Sequence, residues 1–290
     1  MTFRTRFAPS PTGPLHLGHA YSALLAYDMA MAKGGEFLLR IEDIDQSRAR
    51  PAWETQIYDD LAWLGLSWAK PVMRQSDQLP RYQTALRSLY DKALIYPCTC
   101  SRRDILEAAN APQEGAAPTG PDGVIYPGTC AVERRENQTQ PFDTTLPYRL
   151  SLQDAFDAVG ERSCHFDETG SGPMGQTGRI VIRETQARTQ IGDPVLSRRD
   201  MGTSYHLSVV LDDAAQGITH VVRGQDLFEA TNIHVVLQRL LGLPTPTYHH
   251  HALIRDDTGK RLAKRDDARA LSLYRSEGAS PQDIRFMIGL

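Results

Sequence analysis

The chain of 290 residues has no apolar run of membrane-spanning length; a span needs about 18 or more consecutive apolar residues. It also lacks the basic and then apolar start of a secretory signal, because its first residues read directly into a strand. Both absences point to the cytoplasm. Net charge is small: 32 Lys and Arg face 35 Asp and Glu, a net of −3. The whole molecule is therefore no electrostatic glove for nucleic acid, and any RNA contact must use local patches. Cysteine is limited to 4 residues, which in the cytosol suggest metal or thiol chemistry before disulfides. No internal repeat is visible. What is present, 41% hydrophobic and 23% charged residues, describes a globular chain long enough for one large or two medium domains.

Local patterns predict an α/β fold. Residues 2–7 read as a strand, 17–33 as a helix ended by Gly34-Gly35, and 36–41 as a second strand, together a βαβ unit. Helical spacing follows over 51–64 and 80–93. From about 96 to 199 the periodicity fades, all four cysteines occur, and Gly/Pro/Thr-rich stretches recur, the mark of an insertion. The α/β pattern resumes with a helix over 205–213, a strand over 218–223, a helix over 226–241 and a strand over 250–255. The expected organisation is a first catalytic half at 1–95, an inserted subdomain at 96–200 and a second half at 201–290.

The most informative segment is Arg6-Phe7-Ala8-Pro9-Ser10-Pro11-Thr12-Gly13-Pro14-Leu15-His16-Leu17-Gly18-His19. A strand breaks into a Pro/Gly turn, and two histidines follow at the start of a helix. That order brings imidazoles and backbone N–H groups together where a polyphosphate is well held. Attack of a carboxylate on the ATP α-phosphate builds negative charge on phosphate oxygens, and fixed donors there lower the barrier. Far along the chain, Thr258-Gly259-Lys260-Arg261-Leu262-Ala263-Lys264-Arg265 sets Lys260, Arg261, Lys264 and Arg265 on a glycine-containing loop, suited to the β- and γ-phosphates.

These segments resemble the two signatures of class I aminoacyl-tRNA synthetases. His16-Leu17-Gly18-His19 stands for the HIGH motif, and the preceding Arg6-Phe7-Ala8-Pro9-Ser10-Pro11-Thr12-Gly13 is the form carried by the glutamyl branch. Arg261-Leu262-Ala263-Lys264-Arg265 stands for KMSKS, with Lys264 on the lysine that serves ATP and Arg261 and Ala263 as departures. The resemblance implies a Rossmann-like nucleotide-binding fold with ATP as substrate and Mg2+ as its companion.

The amino-acid pocket can be argued from charge. A glutamate side-chain carboxylate calls for arginine, and its ammonium for a carboxylate. Arg6, Arg223 at the end of the 218–223 strand, Tyr205 and Glu42 at the end of the second strand are the candidates. Resemblance to glutamyl synthetases implies that Arg6, Ala8, Ser10, Tyr205 and Arg223 frame L-glutamate, with Glu42 on the ammonium. Such donors pair poorly with glutamine, so glutamate is expected.

Cys98-Thr99-Cys100 and Cys130 offer three thiolates toward a tetrahedral zinc. The residues alone leave the fourth ligand open among Cys164, His165, Tyr126 and water. Resemblance to the small zinc module of glutamyl-synthetase-like proteins implies Tyr126, in Ile125-Tyr126-Pro127-Gly128-Thr129-Cys130. Arg102-Arg103 and Arg198-Arg199 are basic pairs that either meet RNA or face solvent. His249, His250 and His251 cannot converge on one metal if they lie in a strand, because neighbours point to opposite faces.

Beyond the Lys264 loop the sequence runs only from Asp266 to Leu290, without room for the helical domain that reads the anticodon in glutamyl-tRNA synthetases. The chain therefore resembles the glutamyl-queuosine tRNA(Asp) synthetase family. That implies tRNA-independent activation of glutamate and its transfer to queuosine at the tRNA(Asp) wobble position, by a monomer with a structural zinc. Two rival readings keep the same residues. One is a catalytic fragment or variant of a glutamyl-tRNA synthetase charging the tRNA 3′ end. The other is a noncatalytic paralogue that binds an amino acid or nucleotide, against which His16, His19 and Lys264 argue.

Overall fold

The computed structural model describes residues 2–110, 117–131, 141–254 and 269–290. β1 (Arg4–Phe7) and β2 (Glu36–Ile41) pair in parallel, Arg4 opposite Glu36 and Phe7 opposite Leu39, and β3 (Met73–Arg74) extends the far side of β2. The crossover helix α1 (Leu17–Ala32) buries Ala20, Ala23, Leu24, Ala26 and Ala30. Those alanines let it lie close on β1, and Thr5 Oγ1 reaches the Ala26 carbonyl at 2.8 Å. Gly34 takes the left-handed conformation (φ +59°) that ends the helix, and Gly35 passes so close to Phe3 that a Cβ there would meet its carbonyl oxygen. α2 (Pro51–Trp63) and α3 (Leu79–Asp91) fall where the spacing placed them.

The middle of the chain builds β4 (Ile95–Pro97), α4 (Arg102–Asn110), the hairpin β5 (Thr119–Gly120) and β6 (Gly123–Val124), β7 (Tyr148–Leu150), α5 (Leu152–Val159), β8 (Ser163–Glu168), β9 (Gly178–Arg183), α6 (Glu184–Gln190) and β10 (Val195–Ser197). β10, β7 and β4 form an antiparallel sheet. The last part supplies α7 (Tyr205–Ala215), β11 (His220–Gly224), α8 (Ala230–Leu240), β12 (Thr247–His251), α9 (Leu271–Ser276) and α10 (Pro281–Ile288). β12 lies earlier than the expected 250–255, and α8 starts later than 226 because residues 225–227 turn as a 3-10 helix.

β11 and β12 are parallel, and β8 joins β12 through the pair Tyr248–Glu168. The hairpin β8–β9 thus extends the second sheet, a pairing not read from the sequence. β1 sits beside β11 at the junction of the two halves, held by Thr219 N–H to the Arg4 carbonyl (3.0 Å) and Arg4 N–H to Thr219 Oγ1 (2.8 Å). In open α/β sheets a ligand crevice forms outside the carboxyl ends of strands at such a switch point. One apolar core packs α1, β1 and β2 with Ile284 and Ile288 of α10; a second runs from Tyr82 and Leu89 through Leu150 and Phe166 to Val235 and Tyr248. Tyr96, Cys98 and Tyr126 form a small third one. No helix of the described residues is long and apolar enough to cross a membrane.

Candidate active site

A cleft of about 720 Å³ opens at the carboxyl ends of β1, β2, β11 and β12. Arg6, Ala8, Ser10, Glu42, Tyr205 and Arg223 line it. His16, Gly18 and His19 line it too, whereas Leu17 turns into the core at 7% exposure. Residues from the front and the back of the chain thus face one space. Arg261, Leu262, Ala263, Lys264 and Arg265 lie outside the described residues. The chain on either side of them borders the cleft: Leu253 and Ile254 line it, and Ala270 forms a β-bridge with His16.

The start of α1 is capped by its own histidines. His16 Nδ1 accepts from Gly18 N–H (3.1 Å), and His19 Nδ1 accepts from His16 N–H (3.2 Å), a reciprocal capping box. The His16 carbonyl takes the N–H groups of His19 and Ala20. The helix N-terminus therefore does not offer those backbone N–H groups to a ligand, contrary to the expectation from the sequence. Because both Nδ1 atoms accept, each neutral imidazole carries its proton on Nε2, a donor suited to a phosphate oxygen. The rings lie 3.8 Å apart between centroids.

Beneath the cleft is a buried charge network. Arg6 grips Asp213 of α7 through Nε (3.0 Å) and Nη2 (3.4 Å). Arg40, with no exposed surface, gives Nη1 to Asp213 (2.7 Å) and Nη2 to Glu42 (3.1 Å). Burial opposes the charge on Arg40, but Asp213, Glu42 and Asp212 outweigh it. For Asp213, burial raises the carboxyl pKa, and Arg6 and Arg40 bring it below the ordinary value. Glu42 differs: burial lifts it above the ordinary value, against the pull of Arg40 and Arg6. A buried carboxylate held this way gains from an arriving ammonium. Arg40, Asp212 and Asp213 were not singled out in the sequence; the available signal was charge inside otherwise apolar patterns, Phe37-Leu38-Leu39-Arg40-Ile41 and Val209-Val210-Leu211-Asp212-Asp213.

Arg223 at the end of β11 is 6% exposed and surrounded by neutral acceptors. Nε donates to His250 Nε2 (3.1 Å), Nη2 to Thr231 Oγ1 (2.6 Å) and the Leu227 carbonyl (3.2 Å), and Nη1 to His234 Nδ1 (3.2 Å). The last contact, Nη1 to the Tyr205 hydroxyl, is 3.5 Å, the limit of a hydrogen bond. Among the described residues no carboxylate lies within ion-pair distance of Arg223. Its guanidinium is thus oriented on three sides, and Nη1 beside Tyr205 is what remains for a ligand, an end-on contact in place of the bidentate one that arginine allows in principle. Behind it, His250 Nδ1 meets Glu168 Oε2 at 2.5 Å. Of the three consecutive histidines, His249 bonds Thr169, His250 bonds Glu168 and His251 bonds Ser22, so the three do not converge on one point.

A second cleft of about 280 Å³ adjoins the first at Ser10, Glu42 and Tyr205, and is lined further by Asp45, Arg48, Asp122, Arg198 and His206. Arg198 of the basic pair therefore faces this cleft.

The thiols of Cys98, Cys100 and Cys130 lie within 4.8 Å of one another. Cys100 and Cys130 Sγ are 3.4 Å apart, and the Tyr126 hydroxyl stands 3.5 Å from Cys98 Sγ and 3.7 Å from Cys100 Sγ. A tetrahedral zinc with ligands at about 2.0–2.3 Å sets its ligand atoms about 3.3–3.8 Å apart, the range in which these three separations fall. Burial disfavours the Cys98 thiolate, but hydrogen bonds from Tyr126 and Arg149 outweigh it and lower its pKa. Of the other candidates for fourth ligand, Cys164 is buried in the large core and His165 bonds Arg179.

Comparison with known proteins follows the same lines. The family described as tRNA synthetases class I (E and Q), catalytic domain, matches residues 2–148 and 164–290. The glutamyl-Q tRNA(Asp) synthetase of Rhodobacter capsulatus is 64% identical over 99% of this chain and 99% of its own. That of Nocardia farcinica is 40% identical over 96% of this chain and 81% of its own. Among solved structures, a glutamate tRNA ligase from Elizabethkingia meningosepticum, in complex with its amino acid, superposes with a TM-score of 0.73 at 25% identity. This chain is covered completely and spans 61% of that ligase. A methionyl-tRNA synthetase of Mycobacterium tuberculosis shares the fold, with a TM-score of 0.58 at 11% identity. The chain belongs to the class I tRNA synthetases of the E and Q group and, within them, to the glutamyl-Q tRNA(Asp) synthetase family.

Proposed function

We propose that this chain activates L-glutamate with ATP, without tRNA, and transfers the glutamyl group to queuosine in the anticodon of tRNA(Asp). The observation that carries the first half is Arg223: a buried guanidinium beside the cleft, held by neutral groups and lacking a carboxylate partner among the described residues. The side-chain carboxylate of glutamate supplies that missing charge, with Arg6 and Tyr205 beside it and Glu42 for the ammonium. An uncharged glutamine amide leaves the same donors and charge poorly matched.

The α-carboxylate oxygen attacks the α-phosphorus of ATP, the bond to the β-phosphate oxygen breaks, and glutamyl-adenylate and pyrophosphate form. His16 and His19 donate from Nε2 to the phosphate oxygens as charge builds, and Lys264 follows the leaving phosphates. Mg2+ balances phosphate charge when ATP is bound. In transfer, a cyclopentenediol hydroxyl of queuosine attacks the activated carbonyl carbon. The bond to the adenylate oxygen breaks, and the hydroxyl proton leaves with the AMP phosphate. Cys98, Cys100, Tyr126 and Cys130 hold one structural zinc. The queuosine acceptor is supported by the names of the relatives at 64% and 40% identity.

Glutamate-dependent pyrophosphate exchange without tRNA tests activation; no exchange sinks it. For the acceptor, labelled glutamate and ATP are incubated with tRNA(Asp) with and without queuosine, and the 3′-terminal adenosine is then stripped. Label that needs queuosine and survives stripping supports the reading. Label lost with the 3′ end assigns the chain to 3′ charging instead.

A further inference from the structure

Arginine only donates hydrogen bonds, so Arg223 sets the tautomer of each imidazole that touches it. His234 accepts on Nδ1 from Arg223 Nη1 and must carry its proton on Nε2, 3.0 Å from His206 Nδ1. His206 then accepts on Nδ1, carries its proton on Nε2, and donates to Asp122 Oδ1 at 2.8 Å. The result is a one-way chain of hydrogen bonds, Arg223 to His234 to His206 to Asp122. Both histidines are buried, at 2% and 5% exposure, while the Asp122 side chain is 43% exposed in the turn between β5 and β6. The two imidazoles pack edge-on against Tyr205, with ring centroids 5.4 and 5.6 Å away, but packing alone does not call for a pair that ends on a carboxylate from a separate hairpin. Its order makes sense as a device that fixes where Nη1 points.

We propose that His234, His206 and Asp122 are positioning residues that aim Nη1 of Arg223 at the amino-acid side chain, and that they make the amino-acid pocket depend on the seating of the β5–β6 hairpin. The inference rests on the reading of Arg223 as the group that meets that side chain. One Nη1 hydrogen goes to His234, and planarity of the guanidinium then fixes the other toward Tyr205 and the cleft. Asp122 and His206 also line the second cleft. A group that enters the second cleft therefore meets the outer end of the chain whose inner end holds Arg223.

The test is glutamate-dependent pyrophosphate exchange, with KM for glutamate and kcat measured separately and the melting temperature of each variant recorded. His206→Leu is expected to raise KM about tenfold with kcat within about twofold, the pattern of a lost ground-state contact. His206→Gln, whose amide accepts and donates in the same order, recovers most of the loss. Asp122→Ala, at a half-exposed site, raises KM about threefold. Arg223→Gln is the control for the reader itself. A raised KM in Arg223→Gln with none in His206→Leu or Asp122→Ala overturns the chain and leaves the reader standing. Unchanged KM in all of them overturns both. Equal losses in His206→Leu and His206→Gln, or losses in kcat alone, also overturn it and leave these histidines as packing.

Discussion

His250 stands between Glu168 and Arg223, its Nδ1 2.5 Å from the carboxylate and its Nε2 3.1 Å from the guanidinium Nε. Because Arg223 can only donate, His250 must hold its proton on Nδ1, the opposite tautomer to His206 and His234. Nitrogen-15 spectra of histidine-labelled protein should show two buried Nδ1–H rings, His250 and His251, the latter facing the Ala252 carbonyl at 2.9 Å, and two buried Nε2–H rings. Three rings of the same tautomer contradict the hydrogen-bond order described.

Acid stability follows from the same histidine. Burial lowers the pKa of His250 to about 4, with Glu168 pulling it up and Arg223 pushing it down. The unfolded chain, with an imidazole pKa near 6.5, binds more protons between those values, so stability rises with pH across that window and is lost on acidification. At pH 4.5 the loss from this residue is about 2.5 kcal/mol relative to pH 7. His234, also lowered by burial and by Arg223, acts in the same direction. Urea unfolding from pH 7 to 4.5 should give a shallower slope for His250→Gln than for the parent; equal slopes defeat the assignment.

Glu42 governs a different pH effect. Burial raises its pKa, so it loses its charge at higher pH than an ordinary glutamate as the solution is acidified. Only the anion attracts an ammonium, so KM for glutamate should rise as pH falls, beginning above about pH 4.3. Glu42→Gln should raise KM by about 10–100-fold and flatten that rise. An unchanged KM removes Glu42 from the pocket.

Asp60 offers a stability test outside the site. It is 2% exposed on α2, its Oδ2 has no hydrogen-bond partner, and burial raises its pKa to about 6, with Arg275 opposing. At pH 7.5 it is ionised at a cost in the folded state, whereas near pH 5 it is largely neutral. Asp60→Asn should stabilise the protein by about 1–2 kcal/mol at pH 7.5 and by less at pH 5. A gain that does not shrink in acid contradicts the ionisation cost.

Metal analysis should find one zinc per chain. Cys130→Ser should lose it together with several degrees of melting temperature, and Tyr126→Phe should weaken zinc by about tenfold or more while keeping the three thiols. A chelator that leaves the parent's melting curve unmoved argues against a structural ion.

How much of this was legible depended on separation along the chain. The first βαβ unit was readable because its strands, helix and glycine stop are local. The capping of α1 by its own histidines was not, since His16-Leu17-Gly18-His19 shows spacing but not which nitrogen accepts. Arg40 was overlooked because its partner Asp213 lies 173 positions away. Glu168 was overlooked because nothing near it in sequence announces His250, 82 positions on.

The sequence by itself determined the chemistry available: two histidines at a helix start, a cationic loop, three close thiols, and the charges a glutamate would need. Periodicity and turn residues placed these on strand ends and helix starts, because such signals depend on neighbours only. Tertiary structure alone decided which charges are spent and which are left to a ligand. β1 and β11 meet at the switch point, Asp213 takes Arg6 and Arg40, and Arg223 is surrounded by neutral imidazoles and hydroxyls with one side toward the cleft. Those outcomes depend on long-range packing, and so does the tautomer of every histidine around that guanidinium.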